Sequence, residues 1–147
     1  MQTVSLETDS PAATERVAGE LAERLAPGDV VLVSGELGAG KTTFVRGACR
    51  ALGVADRVTS PSFTIGHLYA GRVPVSHIDL FRLESLAGED PGLLAEYLAP
   101  GTISFIEWPD AAFAVFSAEL DPERVVLRVR LEHLGGDSRR IVATPAG

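Results

Sequence analysis

The sequence predicts an α/β fold: a mixed, mostly parallel β-sheet packed between helices, with an antiparallel C-terminal edge. Three observations predict it. An apolar, β-branched run, Asp29-Val30-Val31-Leu32-Val33-Ser34, leads straight into a glycine-rich turn and then a stretch of helical periodicity. A run without polar alternation suits a strand buried on both faces of a parallel sheet. Ile103-Ser104-Phe105-Ile106-Glu107 has the same character. Near the C-terminus Val125, Leu127, Val129 and Leu131 alternate with Val126, Arg128 and Arg130, as in a half-exposed antiparallel strand, and residues 140–143 are its candidate partner.

The elements follow in order. Residues 3–8 read as a first strand. Ser10-Pro11 reads as a helix start, with Ser10 as N-cap and Pro11 at the first helical position; Val17, Leu21 and Leu25 then recur every four residues until Pro27-Gly28. After the glycine turn, Phe44, Val45, Ala48 and Leu52 share one helical face, and Gly53 takes the C′ position. Residues 54–62 read as loop. Residues 63–69 and 73–79 flank Ala70-Gly71-Arg72 as a two-strand hairpin. Residues 84–98 read as a short helical region interrupted by Pro91 and ending in Glu96-Tyr97-Leu98. Without repeats, low-complexity tracts or a linker, residues 1–147 read as a single domain.

The glycine turn carries the chemistry. Gly35-Glu36-Leu37-Gly38-Ala39-Gly40-Lys41-Thr42 has the full G-x-x-x-x-G-K-[ST] spacing of a phosphate-binding loop. Its glycines let main-chain amides close around a phosphate, and the following helix N-terminus adds its dipole. Lys41 is the only lysine in a chain that otherwise uses arginine. A compact ammonium reaches the β- and γ-phosphates through a collar of amides, where a planar guanidinium is too wide. Thr42 offers a hydroxyl to a magnesium ion bridging those phosphates. Strand, loop and helix together specify a P-loop NTPase-like three-layer sandwich. Gly35, Gly38, Ala39, Gly40, Lys41 and Thr42 are the nucleotide-binding candidates, with Lys41 also catalytic.

Two acids end apolar strands: Asp79 after residues 75–78, and Glu107 after residues 103–106. In a parallel sheet both emerge at the carboxyl edge, where open α/β sheets bind ligands. A buried carboxylate needs a partner, and magnesium is one. Asp79 and Glu107 are therefore candidates for holding the metal and for placing an attacking water, and the spacing does not divide the roles. Thr59-Ser60-Pro61-Ser62-Phe63-Thr64 sets hydroxyls on a proline-punctuated loop, either an ordinary turn or a nucleotide-sensing switch segment with Ser60 and Thr64 as its candidates. His77 reads as a structural histidine. Trp108 reads equally as a core residue or as one that stacks on a base or a partner. Residues near Ser10 and the strand of Arg140 are candidates for a base pocket.

Composition excludes several classes. A net charge of −7 and a pI near 4.9 oppose direct nucleic-acid binding, which draws its affinity from phosphate contacts. No apolar stretch approaches the roughly 20 residues of a membrane span, and the N-terminus lacks the pattern of a signal peptide. The single cysteine, Cys49, forms no internal disulfide, so a cytoplasmic location is expected. The chain has no asparagine and thus no Asn-Lys-x-Asp element to read guanine, which favours ATP over GTP.

The linked motifs resemble one family. The stretch 35–47, Ser-Pro-Ser-Phe-Thr at 60–64, His-Ile-Asp-Leu-Phe-Arg-Leu at 77–83, Glu-Tyr-Leu at 96–98 and Ile-Glu-Trp-Pro at 106–109 are similar to the TsaE (YjeE) family of small bacterial ATPases. The likeness runs from the helix around Thr14 to the final strand. It implies Lys41 and Thr42 on the phosphates and magnesium with Thr43 in support, residues 60–64 as the switch-like loop, Asp79 in place of a usual Walker B acid, Glu107 as a magnesium or water ligand, and Trp108 beside the nucleotide. It also implies ATP and Mg2+ as cofactors, and TsaD and TsaB as partners whose tRNA threonylcarbamoylation is reset by the nucleotide cycle, with tRNA contacted only indirectly. Phe63 and Phe81 stand where that family commonly has tyrosine, and Glu89-Asp90-Pro91-Gly92 is more broken than usual. A small metabolite kinase and a non-hydrolysing nucleotide sensor are the alternative readings; against the kinase, only Arg139 and Arg140 are adjacent, without the arginine clusters of a lid.

Overall fold

The computed structural model describes residues 2–36, 38–59, 66–80, 95–107 and 121–146. The elements are β1 (Val4–Thr8), α1 (Pro11–Ala22), β2 (Val30–Gly35), α2 (Lys41–Ala51), β3 (Gly66–Ala70), β4 (Pro74–Asp79), β5 (Ile103–Glu107), β6 (Val125–Gly135) and β7 (Ser138–Pro145). The strands form one sheet in the order β1-β7-β6-β2-β5-β4-β3. Its centre, β6-β2-β5-β4, is parallel throughout. β7 and β1 continue it antiparallel on one side, and β3 on the other.

The mixed sheet with a parallel centre and an antiparallel C-terminal edge is as expected. β3 adds a second antiparallel edge through the hairpin with β4. β6 has two partners of opposite sense: it is antiparallel to β7, as expected, and parallel to β2 on its other side. A tight hairpin settles only the first of these.

α1 starts where its cap residue dictates, Ser10 Oγ accepting from Ala13 N at 3.1 Å ahead of Pro11. It ends earlier than the apolar spacing suggests. Arg24 N–H and Leu25 N–H bond to the carbonyls of Leu21 and Ala22, three residues back, so the last turn tightens and Leu25 packs from outside the helix. α2 ends at Ala51 with Gly53 at φ 85°, the left-handed C′ conformation.

Strand alternation sorts the core into two faces. Val31, Val33, Phe105, Val75, Leu127, Val129 and Leu131 face α1 and α2, meeting Ala18, Phe44, Val45 and Ala48. Val30, Leu32, Ile78, Leu80 and Ile106 face the other way, where Leu98 and Tyr97 pack. The two helices cross closely at Gly47, where an added Cβ would overlap the carbonyl and Cα of Glu15. Residues 95–98 form a turn, whereas residues 63–65 of the expected hairpin and 84–94 of the expected helical region lie outside the described residues. Among the described residues no helix is long and apolar enough to cross a membrane.

Candidate functional site

The loop between β2 and α2 is shaped by glycine. Gly35 has φ 151°, and a Cβ there would lie 2.7 Å from the Leu131 carbonyl oxygen of β6, so only glycine fits against the neighbouring strand. Gly40, at φ 96°, is the N-cap of α2. The first helical bond is Phe44 N–H to the Gly40 carbonyl at 2.9 Å. The amides of Lys41, Thr42 and Thr43 therefore precede any intrahelical partner and point out of the helix end, as an anion requires. Ala39 is fully buried, whereas Gly40, Lys41, Thr42 and Thr43 are half-buried and Gly38 is exposed.

Lys41 bends back over this loop. Its Nζ donates to the Gly35 carbonyl at 2.7 Å and to the Glu36 carbonyl at 3.3 Å. Burial lowers its pKa below the usual lysine value, while the charges of Glu107 and Asp79 oppose that shift. The ammonium thus shares an electrostatic neighbourhood with both acids.

The acids occupy matching positions. Asp79 and Glu107 are the last residues of β4 and β5 and are register partners across the parallel ladder. Both are buried, at 8% and 3% exposure. Glu107 is also in register with Val33 of β2, two residues before Gly35. Three adjacent strands therefore end together, one feeding the glycine-rich loop and two carrying carboxylates.

His77, read from the sequence as structural, is fully buried. It lies on β4 one pleat before Asp79 and so shares its face, and its Nε2 lies 2.6 Å from Glu107 Oε2. Glu107 therefore already has a buried partner within the protein. The signal was present in the sequence as the His-x-Asp alternation, but it needed the β4–β5 pairing to become a contact.

Arg139 is a second residue not singled out in advance. At the β6–β7 hairpin its Nε lies 3.6 Å from where a Gly40 Cβ would stand, placing a guanidinium beside the loop. In the neighbourhoods named for a base pocket, Ser10 caps α1, and Arg140 of β7 bridges Glu132 and Glu7, each at 3.1 Å. On the way to the switch-like loop, Arg46 of α2 holds the Val58 carbonyl through Nε and Nη2, at 3.3 and 3.2 Å. Ser60, Thr64 and Trp108, like Leu37, Phe63 and Phe81, lie outside the described residues.

Residues 8–141 match the family model described as "Threonylcarbamoyl adenosine biosynthesis protein TsaE". The tRNA threonylcarbamoyladenosine biosynthesis protein TsaE of Bacillus subtilis is 36% identical over 148 residues, spanning 100% of this chain and 89% of that protein. The TsaE of Treponema pallidum is 36% identical, covering 89% of this chain and 92% of its own. The crystal structure of Bacillus subtilis YdiB superposes with a TM-score of 0.75 at 31% identity, covering 99% of this chain and 87% of that one.

Proposed function

The chain belongs to the TsaE family of tRNA threonylcarbamoyladenosine biosynthesis, and we propose that it is the magnesium-dependent, ATP-binding and ATP-hydrolysing subunit that supports the TsaD–TsaB complex in that modification. The observation that carries this reading is the convergence of the Lys41 loop with Asp79 and Glu107 at the ends of adjacent parallel strands.

The residues present fit magnesium. A magnesium ion on a nucleotide takes one or two protein carboxylates and completes its shell with phosphate oxygens and water. One of the register-paired carboxylates Asp79 and Glu107, together with the Thr42 hydroxyl, would supply that donor set. When bound, the ion would neutralise charge developing on the β- and γ-phosphate oxygens.

The chain's own groups account for the rest. The amides at the start of α2 cradle the phosphates, and Lys41 exchanges its loop carbonyls for phosphate oxygens. That exchange replaces two neutral acceptors by charged ones, a stronger class of hydrogen bond. One of Asp79 and Glu107 would accept from the attacking water, and the other would hold the magnesium. The net charge of −7 suits docking on a protein partner better than direct contact with tRNA. The same reading places the protein in the cytoplasm.

The test is phosphate release from Mg·ATP by the purified protein, alone and with TsaD and TsaB. Slow release that vanishes in Lys41→Ala and changes with the partners is expected. Tight nucleotide binding without release, or multi-turnover tRNA modification by TsaD–TsaB without this protein, would refute the assignment.

A further inference from the structure

We infer that His77 is a positioning residue for the nucleotide site, fixing the Glu107 carboxylate by one oxygen so that the other is presented to the metal and water side. This rests on the nucleotide-hydrolysing reading above and assigns a residue to it.

The geometry is specific. His77 is fully buried and Glu107 nearly so, and their Nε2···Oε2 separation of 2.6 Å is short for a nitrogen–oxygen hydrogen bond. A carboxylate only accepts, so Nε2 carries the hydrogen. The other ring nitrogen, Nδ1, is buried and has no hydrogen-bond partner among the described residues. Buried polar atoms are rarely left so, because each forfeits its hydration without return. A histidine serving only to fill space between β4 and its cover needs neither nitrogen, and leucine or phenylalanine would avoid the loss. What the histidine supplies is the Nε2–H at the height of Glu107.

That height follows from the sheet. His77 pairs with Phe105 and Asp79 with Glu107, so the imidazole sits one pleat below the acid pair on the same face. It meets Glu107 from beneath the carboxyl edge and takes Oε2, leaving Oε1 for the ligand side. Partners that orient a ligating carboxylate or histidine in this way typically change metal affinity or activity about 10–100-fold when removed.

Three variants of the whole chain test the inference. His77→Leu keeps volume without a donor, His77→Met does so with a more adaptable chain should the first not fold, and His77→Gln keeps a donor. ADP affinity measured in EDTA is expected to stay within about twofold of the parent for the apolar variants, while kcat falls about 10–100-fold. Mn2+ binding to the ADP complex, read by electron paramagnetic resonance, reports without turnover whether the oriented oxygen serves the cation. His77→Gln is expected to recover most of kcat. In the nitrogen-15 spectrum of the parent without metal, Nε2 of His77 should carry the hydrogen shared with Glu107.

Folded His77→Leu or His77→Met with parental kcat would overturn the role, as would an equal loss of metal-free ADP affinity, a His77→Gln as impaired as the apolar variants, or an Nε2 that carries no hydrogen. A parent protein that neither binds nor hydrolyses ATP would instead overturn the reading beneath it.

Discussion

Asp79 and Glu107 face each other across neighbouring parallel strands, both almost out of solvent. Adjacent strands are about 4.8 Å apart, a spacing at which two carboxylates repel unless compensated. Lys41 is coupled to both, and His77 holds Glu107. Among the described residues the site thus gathers Lys41, Asp79, Glu107 and His77 at the ends of adjacent strands.

Removing one anion should separate binding from turnover. Asp79→Asn and Glu107→Gln are each expected to lower phosphate release about 10²-fold or more, the usual size of a lost catalytic base. In EDTA, ATP affinity should hold or improve, because each change removes negative charge facing a triphosphate. Phosphate release and fluorescent-nucleotide titration measure the two effects. A parallel collapse of both would mean that the acids shape the loop rather than serve the chemistry.

Lys41→Arg keeps the charge and alters only its shape. The Lys41 ammonium already reaches between the Gly35 and Glu36 carbonyls, inside a loop packed against Leu131. A planar fork is too broad for that space. Loss of a charge-assisted contact worth about 1.5–3 kcal/mol corresponds to roughly 10–100-fold weaker ATP binding. Calorimetry on Lys41→Arg beside Lys41→Ala checks it; near-parental affinity in the arginine variant would show that charge alone suffices.

The α1–α2 crossing sets the orientation of α2, and Gly47 makes it possible. A methyl at Gly47 meets main-chain atoms of Glu15, which cannot rotate aside as a side chain would. Gly47→Ala should gain helix propensity of up to about 1 kcal/mol and lose more to overpacking, commonly about 1–3 kcal/mol and more where backbone must shift. A net fall of several degrees in Tm by calorimetry is expected. An unchanged or raised Tm would mean that the helices slide apart freely.

How much of this was legible in the sequence depends on the range of the interaction. The glycine turn, the Ser10 cap, the Gly53 terminus and the buried strands expected at 29–34 and 103–107 are written in local spacing, and the structure has the strands at Val30–Gly35 and Ile103–Glu107. The alternation of β6 was equally plain, but its second partner was not, since periodicity records which face is buried and not which strand lies alongside. His77 escaped for the same reason: its contact with Glu107 spans 30 residues and exists only once β4 and β5 pair. Arg139 reaches Gly40 across an even longer separation. The end of α1 was missed for a local reason, the tightened last turn that lets Leu25 pack from outside the helix.

Cys49 makes the alkaline limit of stability predictable. It lies fully buried on α2 among apolar residues, and burial raises its pKa from 9.0 to about 12. The folded chain thus keeps a proton that the unfolded chain releases above pH 9. Stability from this group is complete below pH 9 and is lost as pH rises toward about 12, with a limiting slope of about 1.4 kcal/mol per pH unit. Tyr69 and Tyr97, also raised by burial, act in the same direction above pH 10, whereas Lys41, lowered by burial, acts oppositely as pH approaches 10.5. Comparing the parent with Cys49→Ala cancels those contributions. The variant should be somewhat less stable at pH 7 because of the vacated sulfur volume, yet urea denaturation between pH 9 and pH 10 should cost it about 1 kcal/mol less than the parent. Equal losses over that interval would show that the thiolate finds water or a cation without unfolding, and that α2 opens at this point on its own.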